Sequence, residues 1–200
     1  VDGVCVILSR ADGEGPPCGR GFRAALGITR ELIDVLTAEG APVGIAKTKA
    51  EVHRDGDWHR AAHVWIVASD GRLLLQRRSL RKENYPGLWD VSAAGHLSAG
   101  ETSKECAVRE TFEELGLRID ARELQFLATL RESCVLNGGT YIDNEIHDVF
   151  IVRRDVDVGA LALQDGEVDD VALVRELPRD ELVPHPAEYA LLTAILPPAP

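Results

Sequence analysis

Gly95–Leu117, GHLSAGETSKECAVRETFEELGL, places three carboxylates, Glu110, Glu113 and Glu114, within five residues of chain. At roughly 100° per residue, positions i, i+3 and i+4 share one face of a helix. Carboxylates crowded there repel one another, and a hard divalent cation with oxygen ligands offsets that repulsion. Ala107, Val108, Thr111, Phe112 and Leu115 fall on the opposite side and read as the core-facing stripe. Thr102 with Glu105 three residues on is a capping box, and Gly116 is a left-handed stop. Cys106 falls on the acidic side and reads as a packing thiol. A lone E-x-x-E-E run is most often a solvated face, but this one has company.

Gly95 is followed after five residues by Glu101, then after seven by Arg109-Glu110, then by Glu113-Glu114 and Gly116-Leu117. This pattern resembles the Nudix box of the Nudix hydrolase superfamily. One position departs from it: Thr111 stands where the family has a bulky aliphatic residue, a matter of packing rather than chemistry. The resemblance implies a Nudix-type α/β/α sandwich with a central mixed β-sheet and a loop-helix-loop metal site. It also implies Mg²⁺ or Mn²⁺ held by Glu110, Glu113, Glu114 and the carbonyl of Gly95, with Glu101 and Arg109 bracing loop against helix. Gly95, Glu101, Arg109 and Gly116 are then the structural frame of the box. Such an ion bridges diphosphate oxygens and activates water, and a nearby glutamate serves as general base.

Outside the box, 200 residues suit one domain. The composition, 45% hydrophobic and 28% charged, is that of a globular chain. A net charge of −11 argues against a nucleic-acid polymer or an anionic membrane as partner. No apolar run is long enough to span a bilayer, and there is no signal-peptide pattern. Cys5, Cys18, Cys106 and Cys134 show no metal or disulfide spacing, so free thiols in a cytoplasmic setting are the simplest account. Nothing fixes the oligomeric state, and a homodimer stays open.

Residues 1–28 include ADGEGPPCGRG and read as a poorly ordered Gly/Pro-rich extension. Residues 29–196 form the expected domain and 197–200 a tail. Hairpins are expected around Glu39-Gly40, Asp70-Gly71 and Asn137-Gly138, with a strand at VALVREL and a helix over 186–195. Strands interleaved with two or three helices agree with an α/β sandwich.

The flank QRRSLRKENYPGLWDVSAAGH and the strand TYIDNEIHDVF resemble type I isopentenyl diphosphate isomerases, which share the Nudix fold. Those enzymes hold a metal with three histidines and two acids. The matching positions are His59, His96, Asp143 and Glu145, with His53 one residue out of step. His63 and His147 match no ligand position, and His185, between prolines, reads as a loop residue. The isomerases carry a proton-transfer cysteine just before the Gly-His pair, where this chain has Ala94.

Hydrolysis is therefore the first expectation. The catalytic candidates are Glu110, Glu113, Glu114 and Glu145, the last as water-activating base or as metal ligand. Arg77, Arg78 and Lys82 are candidates for holding a small-molecule diphosphate. Tyr85 and Trp89 are candidates for lining its pocket. Isomerisation at the His/acid site and non-catalytic sensing of a diphosphate ligand are the alternatives.

Overall fold

The structure, a computed structural model, describes residues 6–9 and 32–195. Most of the 1–28 extension and the 197–200 tail lie outside those residues, although Val6–Ser9 form strand β1. The other strands are β2 (Leu32–Leu36), β3 (Pro42–Thr48), β4 (Trp58–Val67), β5 (Leu73–Arg78), β6 (Trp89–Asp90) and β7 (Ala93–His96). They continue with β8 (Gln125–Leu136), β9 (Tyr141–Arg153) and β10 (Val168–Val174). Among the described residues, three α-helices complete the frame: α1 (Lys49–Asp55), α2 (Ser103–Leu115) and α3 (Pro186–Ile195).

The sheet runs β1-β8-β9-β4-β2-β3, with β7 and β5 also paired to β4, and β6 and β10 paired to β5. Among the strands of the described residues, β4 and β9 pair in parallel and the other pairings are antiparallel, so the sheet is mixed. The three expected hairpins form. Gly40 and Gly71 adopt positive φ in their turns, as do Asn137 and Gly138 in the third. The VALVREL strand begins earlier and stops at Val174. The helix α1 is not among the expected elements; it is capped by a Thr48–Glu51 box and closed by Gly56 in the left-handed region.

Strand β4 divides the core by its period of two. Ala62, Val64 and Ile66 pack with Cys106, Ala107 and Leu115 of α2. Trp65 and Val67 pack with Leu192 of α3 on the other side. β9 splits the same way, Phe150 and Val152 toward α2, Val149 and Ile151 toward α3. On each side the core is sealed by a helix, and polar residues at the odd positions of β4 and β9 share the α3 side.

The predicted stripe of α2 needs one correction. Phe112 is 40% exposed and lies under Arg118, whose guanidinium carbon is 4.2 Å from the ring centroid. Glu114 instead is buried along with Thr111 and Leu115. The helix turns its third glutamate into the protein, because that side chain has donors there.

Candidate metal centre and active site

The loop and helix of Gly95–Leu117 are locked by Arg109. Its Nε and Nη2 each donate to Glu101 at 2.8 Å, and Nη2 also donates to the carbonyl of His96 at 3.0 Å. Nη1 donates to Glu110 at 2.6 Å and to Glu113 at 3.1 Å. The guanidinium thus braces the loop as the resemblance implied and also screens two of the three carboxylates. Glu114 goes elsewhere: its Oε2 accepts from Ala94 N and from Gln76 Nε2, both at 3.0 Å. Burial, then the charge of Glu110, pushes its pKa up to about 8.

Gly95 has a visible reason to be glycine. A Cβ built there would lie 2.1 Å from Cδ and Oε1 of Glu110. Gly95→Ala should displace Glu110 from Arg109 and cost on the order of 1–3 kcal/mol, as overpacking does. A melting midpoint indistinguishable from wild type would contradict that.

Donor groups converge on the α3 side. Donor atoms of His53, His59, His96 and Glu145 all lie within 4.8 Å of one another. The parallel register sets His59 beside Glu145, and α1 delivers His53. His53 Nδ1 donates to the carbonyl of Lys49 at 2.7 Å, and His59 Nδ1 to that of Asp57 at 3.0 Å. With Nδ1 engaged in this way, each ring turns its Nε2 inward. His53 Nε2 is 3.3 Å from Asp143 Oδ1; His59 Nε2 is 3.7 Å from it and 3.3 Å from Glu145 Oε1. His96 Nε2 is 2.8 Å from the same Glu145 oxygen.

His53 Nε2, His59 Nε2 and Asp143 Oδ1 are buried without a hydrogen-bond partner. Lone pairs facing carboxylates in a dry site need a positive charge between them. A metal ion would supply it, and backbone carbonyls anchoring the far ring nitrogens are the usual support of imidazole ligands. The donor set fits a divalent cation. Burial lowers His96 to about 4, so its ring is neutral and able to ligate.

The three box glutamates, by contrast, are not among the groups of described residues whose donors all lie within 4.8 Å. Glu110 and Glu113 are gathered on Arg109, and Glu114 lies beneath β7. The one-residue offset of His53 proves immaterial, since Gly56 closes α1 and the ring still reaches the centre.

Arg78 donates to Asp90 Oδ2 at 2.9 Å and to the carbonyl of Asn84 at 3.1 Å, and Lys82 pairs with Glu167. Arg77 donates to the carbonyl of Gly87 at 2.9 Å and lies over Trp89, which packs into the α3-side core. The predicted phosphate binders are thus already engaged by protein groups. A cleft opens beside the cluster, lined by Tyr85, Glu132, Cys134, Asp143, Glu145 and His185. Tyr85 therefore lines it and Trp89 does not. Cys134 had no sequence signal. Burial and the neighbouring carboxylates push its thiol up to about 12. Cys106 is a buried packing thiol as expected, and both cysteines are free; Cys5 and Cys18 lie outside the described residues.

His63, His147 and His185, set aside on sequence grounds, form a second group with Glu188 of α3. Their positions carried a signal that went unread. Asp143, Glu145 and His147 alternate along β9, as His59, His63 and Trp65 do along β4, so all point to one side.

A loop–helix–loop braced by arginine on an α/β sandwich, beside a His/acid cluster, defines one recognisable class of protein. The chain belongs to the Nudix family: the model of the NUDIX domain matches residues 57–194. It is 45% identical over 150 residues to Nudix hydrolase 3 of Arabidopsis thaliana, covering 74% of this chain but 19% of that protein. It is 33% identical over 140 residues to an isopentenyl-diphosphate Delta-isomerase of Escherichia coli, covering 70% of this chain and 74% of that one. Among solved structures it resembles DR0079 from Deinococcus radiodurans, with a TM-score of 0.55 and 25% identity over 72% of this chain and 83% of the other. Nudix hydrolases generally use divalent metal ions. No helix of the described residues is long and apolar enough to cross a membrane.

Proposed function

We propose that this protein is a metal-dependent hydrolase that cleaves a diphosphate linkage in a nucleoside or other organic diphosphate by attack of water on phosphorus. The observation that carries the reading is the buried, unpartnered set of His53 Nε2, His59 Nε2 and Asp143 Oδ1 beside His96 and Glu145. Those five residues would hold the cation, Mg²⁺ or Mn²⁺, which when bound neutralises phosphate charge and lowers the pKa of water.

The chain's own groups do the rest. Glu145, its two oxygens facing three imidazoles, orients the ligand rings. Glu114, held under Ala94, is the box carboxylate with a pKa matched to taking a proton near neutrality. Glu110 and Glu113 keep Arg109 and the loop in place, with direct contact to a second ion their other role. Arg78 and Lys82 exchange their acidic partners for substrate phosphate, which offsets the charge of an acidic protein.

The likeness to the isomerase supports a second reading, allylic isomerisation of isopentenyl diphosphate. Ala94 opposes it, since alanine carries no proton. Cys134 places a thiol in the same cleft, though not at that position. The test is a panel of organic diphosphates at millimolar Mg²⁺ and Mn²⁺, with isopentenyl diphosphate among them. The expected result is metal-dependent release of phosphate or a monophosphate, abolished by a chelator. Allylic product from isopentenyl diphosphate with every other compound intact would replace hydrolysis by isomerisation.

A further inference from the structure

The group formed by His63, His147, His185 and Glu188 lies next to the first cluster but is built from different atoms. Its donors all lie within 4.8 Å of one another. His63 Nδ1 is 2.7 Å and His147 Nδ1 3.3 Å from the same oxygen, Glu188 Oε1. His185 Nδ1 is 3.1 Å and His147 Nδ1 3.7 Å from Glu132 Oε2 at the edge of the group. The rings of His63 and His147 stack with centroids 4.1 Å apart, and His185 meets both edge-on.

The outward atoms of three members have partners. His147 Nε2 is 2.9 Å from Glu145 Oε2, the outer oxygen of Glu188 accepts from Trp65 Nε1 at 2.8 Å, and His185 Nε2 is 3.3 Å from Asp90 Oδ1. This is the arrangement in which outer hydrogen bonds fix the tautomer and aim the inner nitrogen at a metal. His63, His147 and Glu188 are buried, and His185 sits at the lip. A small cavity of about 10 Å³, bordered by His147, His185, Glu188 and Glu132, adjoins them.

We propose that His63, His147, His185 and Glu188 form a second metal site, taking one zinc-type transition-metal ion apart from the cluster around Glu145. Three imidazoles and one carboxylate are a four-coordinate set that suits Zn²⁺. In a tetrahedral set, ligands ~2.1 Å from one ion stand ~3.4 Å apart. Any wider pair must therefore draw in when the ion binds. The ion would tie β4 and β9 to α3 at one point.

The experiment is zinc content per chain, by elemental analysis of full-length protein loaded with Zn²⁺ and dialysed. The wild type is compared with His63→Gln, His185→Gln and His59→Gln. Wild type should retain one more zinc than either His63→Gln or His185→Gln, and the Zn²⁺-dependent rise in melting midpoint should be smaller in those two variants than in wild type. His185→Gln removes a partly exposed side chain, so a folding defect in His63→Gln does not decide the matter. Equal zinc in wild type, His63→Gln and His185→Gln would mean that the group holds protons only, and the proposal would fall. The first site is read separately: if His59→Gln kept its full zinc, the reading of the cluster around Glu145 would fail, whatever the other two variants showed.

Discussion

Glu145→Gln is expected to weaken Mn²⁺ binding by at least ~100-fold, the upper end of what even an outer-shell change costs. Glu145 is central to the donor array: His59 and His96 face one oxygen at 3.3 and 2.8 Å, and His147 faces the other at 2.9 Å. Burial disfavours its charge, but the three imidazoles outweigh burial and hold its carboxyl well below the usual range. An amide there removes a negative charge that a bound cation would need and leaves only a weaker oxygen acceptor. The same low pKa makes Glu145 a weak proton acceptor at neutral pH, which favours the ligand role over the base role. The two roles separate in one assay. If Glu145 is a ligand, raising Mn²⁺ restores most of the turnover. A loss of ~10²–10⁴ in kcat that persists at saturating metal would instead make it the base. Unchanged affinity, measured by titration calorimetry, would remove it from the centre altogether.

The box was readable because its positions lie within one loop and one helix, where spacing in sequence is spacing in space. The capping box at Thr102 and the stop at Gly116 formed as expected for the same reason. The His/acid cluster was half-readable. Asp143 and Glu145 alternate on one strand, but their meeting with His59 and His96 depends on β4 lying between β9 and β7, a pairing of distant segments. The direction of Glu114 was not readable, since helical periodicity groups it with Glu110 and Glu113 and cannot see Gln76 or the amide of Ala94. His63, His147 and His185 were missed because each was weighed singly. A lone histidine beside an aromatic or a proline is ordinary, whereas three on one side of a sheet with a buried glutamate are not. Arg78 and Lys82 show the opposite failure: their charge was legible, but their engagement with Asp90 and Glu167 was not.

Glu114→Gln should act in opposite directions on stability and on activity. Its carboxyl is buried and its pKa is raised to about 8 from an ordinary value of 4.5. Between those values the folded protein holds a proton that the unfolded chain has lost, so the stability of the metal-free protein falls as pH rises. The stabilising neutral form is fully present below about 4.5 and is lost as pH passes through 8. Glutamine imitates that neutral form. Its carbonyl can accept from Ala94 N and Gln76 Nε2 as the carboxyl does, and its amide cannot ionise. Metal-free wild type and Glu114→Gln should therefore melt alike at pH 5. At pH 8 the variant should be the more stable, by on the order of a few kcal/mol. Turnover should move the other way, falling ~10²–10⁴-fold with metal bound, because the amide can neither take a proton nor neutralise a cation. A structural glutamate would lose stability and activity together. Parallel pH–stability curves for the two proteins would contradict the burial argument, and retained turnover would take Glu114 out of the chemistry.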